Sequence, residues 1–318
     1  MLTFFDERVA NDDALALVTV LATEGSSYSK AGHPLLVGAD GELAGLLSGG
    51  CLENDLVEHC KKAIREGTPR LVDYDLRGDD DLLGLGVGCE GVMRVLVQPM
   101  SVENDYAPVA GALSLLRSHP CVDVDIQSGP DAWKIRWVRP ARVLVLGAGP
   151  DALPLLEICK SLGWAVTVND HRPAWIESVP RGNAVEILNT PYRDLGTSVD
   201  LNSFDATIAM SHNLEADRAY LVQLAKSDID FIGLLGPPHR RDRILGELAD
   251  VAHDLDGRLR SPVGRMIGGR GPASIALEIA VELQEYFCAL DQHLAAADKS
   301  AGVSISIDAG SNSTASTA

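Results

Sequence analysis

Three glycine-rich stretches carry the residues whose types and spacing could do chemistry. In LSGGCLEN, residues 47–54, Gly49 and Gly50 run straight into Cys51, and Glu53 follows two positions later, where a helical pattern opens. A thiol at a helix start is favoured as the thiolate, which is the nucleophilic and metal-binding form. The plainer alternative is that Cys51 is a small buried residue and the glycines shape a turn. In GLGVGCEGVMRV, residues 84–95, glycines bracket Cys89 ahead of a strand. In EGSSYSKAGHPLLV, residues 24–37, Ser26 and Ser27 follow Gly25 behind a strand, with hydroxyls and amides suited to an oxyanion or a heterocycle. An ordinary serine turn would read the same way.

A fourth stretch, GAGPDA at 147–152, follows an apolar strand and opens a helix, the context in which a GxGxxG/A pattern points to a dinucleotide. Gly147 would permit the tight turn, Gly149 would let a diphosphate approach the backbone, and Ala152 stands at the helix–strand contact. Asp170 lies 23 positions after Gly147, at the end of the next strand, where a carboxylate can accept ribose hydroxyls. A doubly wound fold that uses its glycines only for close packing is the alternative. His212, in MSHNLEAD, falls at another strand end, in the crevice where such sheets bind ligands. Between Gly236 and Pro272 stand Arg240, Arg241, Arg243, Arg258, Arg260, Arg265 and Arg270. They suit a phosphate or an acidic partner, or else salt bridges with Asp242, Glu247 and Asp250 on a solvated helix face.

The elements that must position these residues fall into two patterns. Up to about residue 100, ALALVTVLAT (14–23) and PLLVGADGELAGLL (34–47) read as strands, the latter a hairpin turning at Asp40–Gly41. Leu56, Val57, Cys60 and Ile64 recur at helical spacing before Gly67 stops the helix, and RLVDYDL and VMRVLVQPM close a small α+β domain. Residues 101–140 are expected to connect, with a helical stretch at 108–118 and short strands at 122–126 and 133–138. From 141 to 292, ARVLVLGAG, WAVTVND, a strand at 204–210 and DFIGLLG alternate with helices, which implies a parallel, doubly wound, Rossmann-like sheet. A last helix opens at Pro272. The stretch 293–318 is small, polar and low in complexity, and is expected to add nothing to a core. The fold class is therefore α/β, a small α+β domain followed by a Rossmann-like one.

With 27 basic against 45 acidic residues, the net charge of −18 argues against nucleic-acid or anionic-membrane binding, since both depend on a positive field. The start lacks a secretory signal pattern and no run of about 18 apolar residues occurs, so a cytoplasmic protein without membrane insertion is expected. Six cysteines without CxxC pairs indicate neither a disulfide framework nor a structural zinc site.

In order and number, these stretches resemble the XdhC/CoxI family, accessory factors for the xanthine dehydrogenase class of molybdenum hydroxylases. The likeness rests on EGSSYSKAGHPLLV, LSGGCLEN, GLGVGCEG with VLVQP, VLVLGAGPDALPLL with VTVNDHRP, MSHNLEAD, FIGLLGPPHRRDRIL and SPVGRMIGGRGPASIALEIAVEL. The resemblance implies a chaperone that binds the molybdenum cofactor, as molybdopterin or its nucleotide form. It holds the cofactor while a cysteine desulfurase helps to install the sulfido ligand, and delivers it to an apo-molybdoenzyme. Carried onto this chain, the family pattern points to Ser26, Ser27, Gly49, Gly50, Cys51, Glu53 and Cys89, and to Gly147, Gly149, Asp170, His212 and Asp217. Cys51 would contact molybdenum and, with Cys89, handle sulfur, and a phosphate or nucleotide arm would lie on the GAGPDA helix start. The chain departs from the family pattern at Glu90, Pro150 and Pro237, which bears on the ligand details around Cys89 and the second glycine loop. A homodimer is expected. Two rivals stand beside this reading: an oxidoreductase using an NAD-type dinucleotide, and an interaction module that holds no cofactor.

Overall fold

The computed structural model describes residues 1–75, 91–107, 109–181, 185–248, 250–296, 304–308 and 315–317. The loop carrying Cys89 and Glu90 lies outside the described residues. The chain divides into two compact units, Met1–Arg139 with Ala295–Ala318, and Pro140–Leu294.

Unit one begins with helix α1 (Leu2–Ala10), then strands β1 (Leu15–Gly25), β2 (Pro34–Gly38) and β3 (Leu43–Ala44). Helix α2 (Glu53–Glu66) and strands β4 (Arg70–Asp75) and β5 (Gly91–Met100) follow. The antiparallel order is β4-β5-β1-β2-β3. β1 reads as an unbroken apolar run because both of its faces are covered. Ala16, Val18 and Val20 pack with Leu56, Cys60 and Ala63 of α2, while Leu15, Leu17 and Leu21 join a second core on the opposite face. The β2–β3 turn forms where expected: the Gly41 amide donates to the Gly38 carbonyl, and Asp40 accepts from the Glu42 amide. Gly67 ends α2 in the left-handed conformation.

Residues 101–139, expected as a connecting segment, belong to this unit. Helix α3 (Val109–Ser118) and the hairpin of β6 (Cys121–Ser128) with β7 (Asp131–Val138) supply Leu113, Leu116, Val122, Val124 and Trp137 to the second core. The alternation of CVDVDIQS, one apolar face and one acidic, is what a sheet packed on one side requires.

Unit two alternates strand and helix: β8 (Arg142–Leu146), α4 (Ala152–Ser161), β9 (Ala165–Asn169), α5 (Pro173–Glu177), β10 (Val185–Leu188), α6 (Leu195–Ser198), β11 (Ala206–Ala209), α7 (Leu214–Leu224), β12 (Phe231–Leu234), α8 (Pro238–Glu247), β13 (Leu259–Arg260) and α9 (Pro272–Ala296). The sheet is parallel, in the order β10-β9-β8-β11-β12-β13. Strand winding reverses between β8 and β11, the switch point at which open α/β sheets bind ligands. α4 and α9 cover one face with Leu155, Ile279, Leu283 and Phe287, and α7 and α8 cover the other with Tyr220, Leu221, Leu224 and Ile244.

In the tail, β14 (Ser304–Asp308) pairs parallel with β6, and β15 (Ala315–Thr317) with β4. Ile307 is buried in the second core of unit one, so part of a segment expected to add nothing to a core does contribute. The reason is local: VSISI alternates polar and apolar residues, and that period outweighs the surrounding low complexity. No helix among the described residues is long and apolar enough to cross a membrane.

Candidate functional site

In unit one the two described loops of the candidate site lie at one end of the sheet. β1 runs into Ser26 and Ser27, and a Cβ on Gly91, the first residue of β5, would fall 2.6 Å from the Ser26 carbonyl oxygen. A Cβ on Gly49 would sit 3.6 Å from Cε2 of Tyr28, which brings the loop before α2 against the serine loop. Ser29 ties the two together, its buried hydroxyl donating to the Leu46 carbonyl at 3.2 Å. Ser27 donates to the Ser29 carbonyl at 2.9 Å. Tyr28 and Ser29 therefore lie against Gly49 and Leu46, with Ser26 and Ser27 preceding them on one loop and Gly50 and Cys51 following on the other, a rim of two loops.

Glu53 shapes that rim rather than lining it. Its buried carboxylate accepts the amides of Leu47 at 3.0 Å and Ser48 at 2.9 Å on one oxygen. On the other it accepts the Ser48 hydroxyl at 2.7 Å, the Gly50 amide at 2.8 Å and the Leu52 amide at 3.2 Å. Burial pushes this carboxyl's pKa up, but the Ser48 hydroxyl and the backbone donors outweigh burial and hold it below the usual carboxylate range. The anion at the start of α2 is thus Glu53 itself. Cys51 stands one residue before the helix cap, half-buried and packed against the core under α2, and follows Gly50, where an added Cβ would meet no described residue within 4 Å. Cys60 and Cys159 differ in kind: burial pushes both thiols up to about 12, which makes them inert core residues. The five described cysteines carry free thiols.

In unit two the predicted residues do converge on the switch point. Gly147, with φ of 127°, passes so close to β11 that a Cβ would lie 2.5 Å from the Met210 carbonyl oxygen. Gly149 is buried beside Asp151, whose Oδ2 lies 2.6 Å from Nε2 of His212. His212 is exposed and adopts the left-handed conformation at φ of 57°, a strained backbone for a residue with a side chain.

The two carboxylates here also look inward. Asp170, 1% exposed, receives the Arg172 amide and Nε on Oδ1, each at 2.9 Å; Oδ2 receives the Ala148 amide at 2.9 Å and Arg172 Nη2 at 2.7 Å. Burial raises its pKa, and Arg172 with the two amides more than offsets this, so it stays ionised. All four lone-pair positions are occupied, and none is left for a ribose hydroxyl. Asp217 accepts the Ser211 amide and hydroxyl on one oxygen and Arg240 Nη2, at 2.6 Å, on the other. The sequence reasoning missed Arg172 and Arg240 as partners. The signal available was an arginine two residues after Asp170, and the arginine segment following β12.

Most of that arginine segment is internal bracing. Arg241 and Arg243 pair with Asp242 and Glu247, Arg258 donates to five carbonyls from Leu224 to Asp254, Arg260 donates to the Gly257 carbonyl, and Arg265 pairs with Glu285. Among the described residues no group of three or more His, Cys, Asp or Glu side chains could hold a metal ion. Among the described residues, a soft metal at the rim of unit one would find the Cys51 thiol without a preformed ligand set around it.

Two family models match the chain: the XdhC and CoxI family over residues 9–75 and the XdhC Rossmann domain over residues 143–283. Similar sequences include a protein from Bacillus subtilis described as a probable xanthine dehydrogenase subunit, 28% identical over 88% of this chain and 96% of that protein. An uncharacterized protein, YqeB, from Escherichia coli is 22% identical over 84% of this chain, which spans 42% of that protein's length. Among solved structures, a xanthine dehydrogenase from Bacillus halodurans superposes with a TM-score of 0.74 at 26% identity, covering 91% of this chain and 96% of that one.

Proposed function

Since the chain belongs to the XdhC and CoxI family, we propose that it is an accessory factor for a xanthine dehydrogenase-family molybdoenzyme and acts as a carrier of the molybdenum cofactor. It receives the cofactor, as molybdopterin or its nucleotide form, at the rim made by Ser26, Ser27, Gly49, Gly50 and Cys51. It holds it while a cysteine desulfurase supplies sulfur, and releases it to the apo-enzyme in the cytoplasm. The observation that carries this reading is the Glu53-pinned loop: four backbone amides and the Ser48 hydroxyl fix it, two glycines leave it bare, and one half-buried thiol follows them at the start of α2. Such preorganisation supports a binding role, because the loop is ordered before any ligand arrives. The test is transfer. Protein loaded in a cofactor-producing host should restore activity to cofactor-free xanthine dehydrogenase, and Cys51→Ser protein should not. Equal restoration by both, or by neither, would remove Cys51 or the carrier role respectively.

The dinucleotide-dependent oxidoreductase reading rests on GAGPDA at the switch point, and the saturated Asp170 weighs against it. A nicotinamide absorbance change with a substrate would favour it. Pairing into a homodimer is part of the carrier proposal and is read by light scattering.

A further inference from the structure

We propose that Tyr28 is the stacking platform of the rim, taking the flat face of a conjugated heterocycle, which on the carrier reading above is the pterin of the cofactor. Tyr28 is 63% exposed and Leu46 is 47% exposed, so two large side chains stand open to solvent on neighbouring loops. Neither loop is slack. The Ser27 hydroxyl spans to Ser29, the buried Ser29 hydroxyl holds the Leu46 carbonyl, and Glu53 fixes the backbone from Leu47 to Leu52. The Tyr28 ring therefore rests with one edge against Gly49, whose absent Cβ would lie 3.6 and 3.7 Å from Cε2 and Cδ2. A Cβ on Gly50 next to it would meet no described residue within 4 Å.

An exposed aromatic face on a hydrogen-bonded loop offers a large contact area from a side chain with two rotatable angles, and stacking on a heterocycle needs no hydrogen-bond match. Leu46, whose carbonyl Ser29 holds, stands exposed on the adjacent loop, and Cys51 follows Gly50 in the chain. A polar platform would serve a free oxyanion better. An exposed ring resting beside bare glycine backbone suits the flat face of a conjugated heterocycle.

The test uses the full chain purified anaerobically from a cofactor-producing host, as wild type, Tyr28→Ala and Tyr28→Phe. Pterin retained per chain after gel filtration is measured, with thermal unfolding run alongside. The expected result is a roughly tenfold loss of retained pterin in Tyr28→Ala and wild-type retention in Tyr28→Phe, with melting unchanged because the ring is exposed. Wild-type retention by Tyr28→Ala would overturn the stacking role while leaving the carrier reading intact. Equal loss in both variants would also overturn it, since the hydroxyl and not the ring would then matter. Wild-type protein free of pterin would bring down the carrier reading and this inference with it.

Discussion

Replacing Glu53 by Gln keeps the side chain's shape and removes its charge and one acceptor oxygen. If the remaining carbonyl takes the position facing Leu47 and Ser48, the new NH2 group confronts the Gly50 and Leu52 amides; in the flipped rotamer it confronts those of Leu47 and Ser48. Either way two backbone N–H groups lose their acceptor. Each unsatisfied buried donor costs about 1–3 kcal/mol, and because Gly50 is exposed and can turn towards water the lower half applies, giving about 3 kcal/mol in all. For a unit of this size that lowers the unfolding midpoint by roughly 6–12 °C. The assay is calorimetry of wild type and Glu53→Gln at neutral pH, repeated in acid. Glu53's pKa is held low in the folded state, so its contribution is fully present above its unfolded value, about 4.3, and fades as pH falls through the lower folded value. The gap between the proteins should therefore narrow below about pH 4. A difference under about 0.5 kcal/mol at neutral pH would refute the clamp.

Three further outcomes follow from the same geometry. Arg172→Ala strips Asp170 of its guanidinium partner and leaves a buried carboxylate on two amides. Unit two should lose about 2–4 kcal/mol at neutral pH by urea titration and less in acid, where Asp170 can protonate. Gly147→Ala would drive a Cβ into the Met210 carbonyl at a positive φ, at a cost of roughly 3 kcal/mol or more, seen as loss of the cooperative melt of unit two. Cys51→Ser should melt within about 1 kcal/mol of wild type, since the thiol is half-buried and the swap is nearly isosteric. A large loss there would make Cys51 a packing residue.

What the sequence disclosed follows from period and punctuation. The strand–helix rhythm of unit two, the Asp40–Gly41 turn and the Gly67 stop are local signals, and each element forms where its pattern lies. The membership of 101–139 in unit one was not legible, because it depends on which core the alternating face of β6 covers, a long-range matter. The motifs placed the described candidate residues at loops and strand ends, where they do lie, yet the directions of their side chains were not legible. Glu53, Asp170 and Asp217 all stand in suggestive motifs, and all three turn inward to hold backbone or arginine. A carboxylate that organises a glycine loop and one that binds a ligand carry the same letter; only the count of donors around each oxygen distinguishes them. Tyr28 went unread because its meaning comes from Gly49, 21 positions along the chain.

The central claim is that the rim of unit one holds the molybdenum cofactor through Cys51. Its most direct test is molybdenum and released pterin per chain in protein purified anaerobically from a cofactor-producing host, for wild type and Cys51→Ser. The account predicts near-stoichiometric molybdenum and pterin in the wild type and their loss in a variant that remains folded. Wild-type protein that carries neither, while binding a nicotinamide dinucleotide, would contradict it.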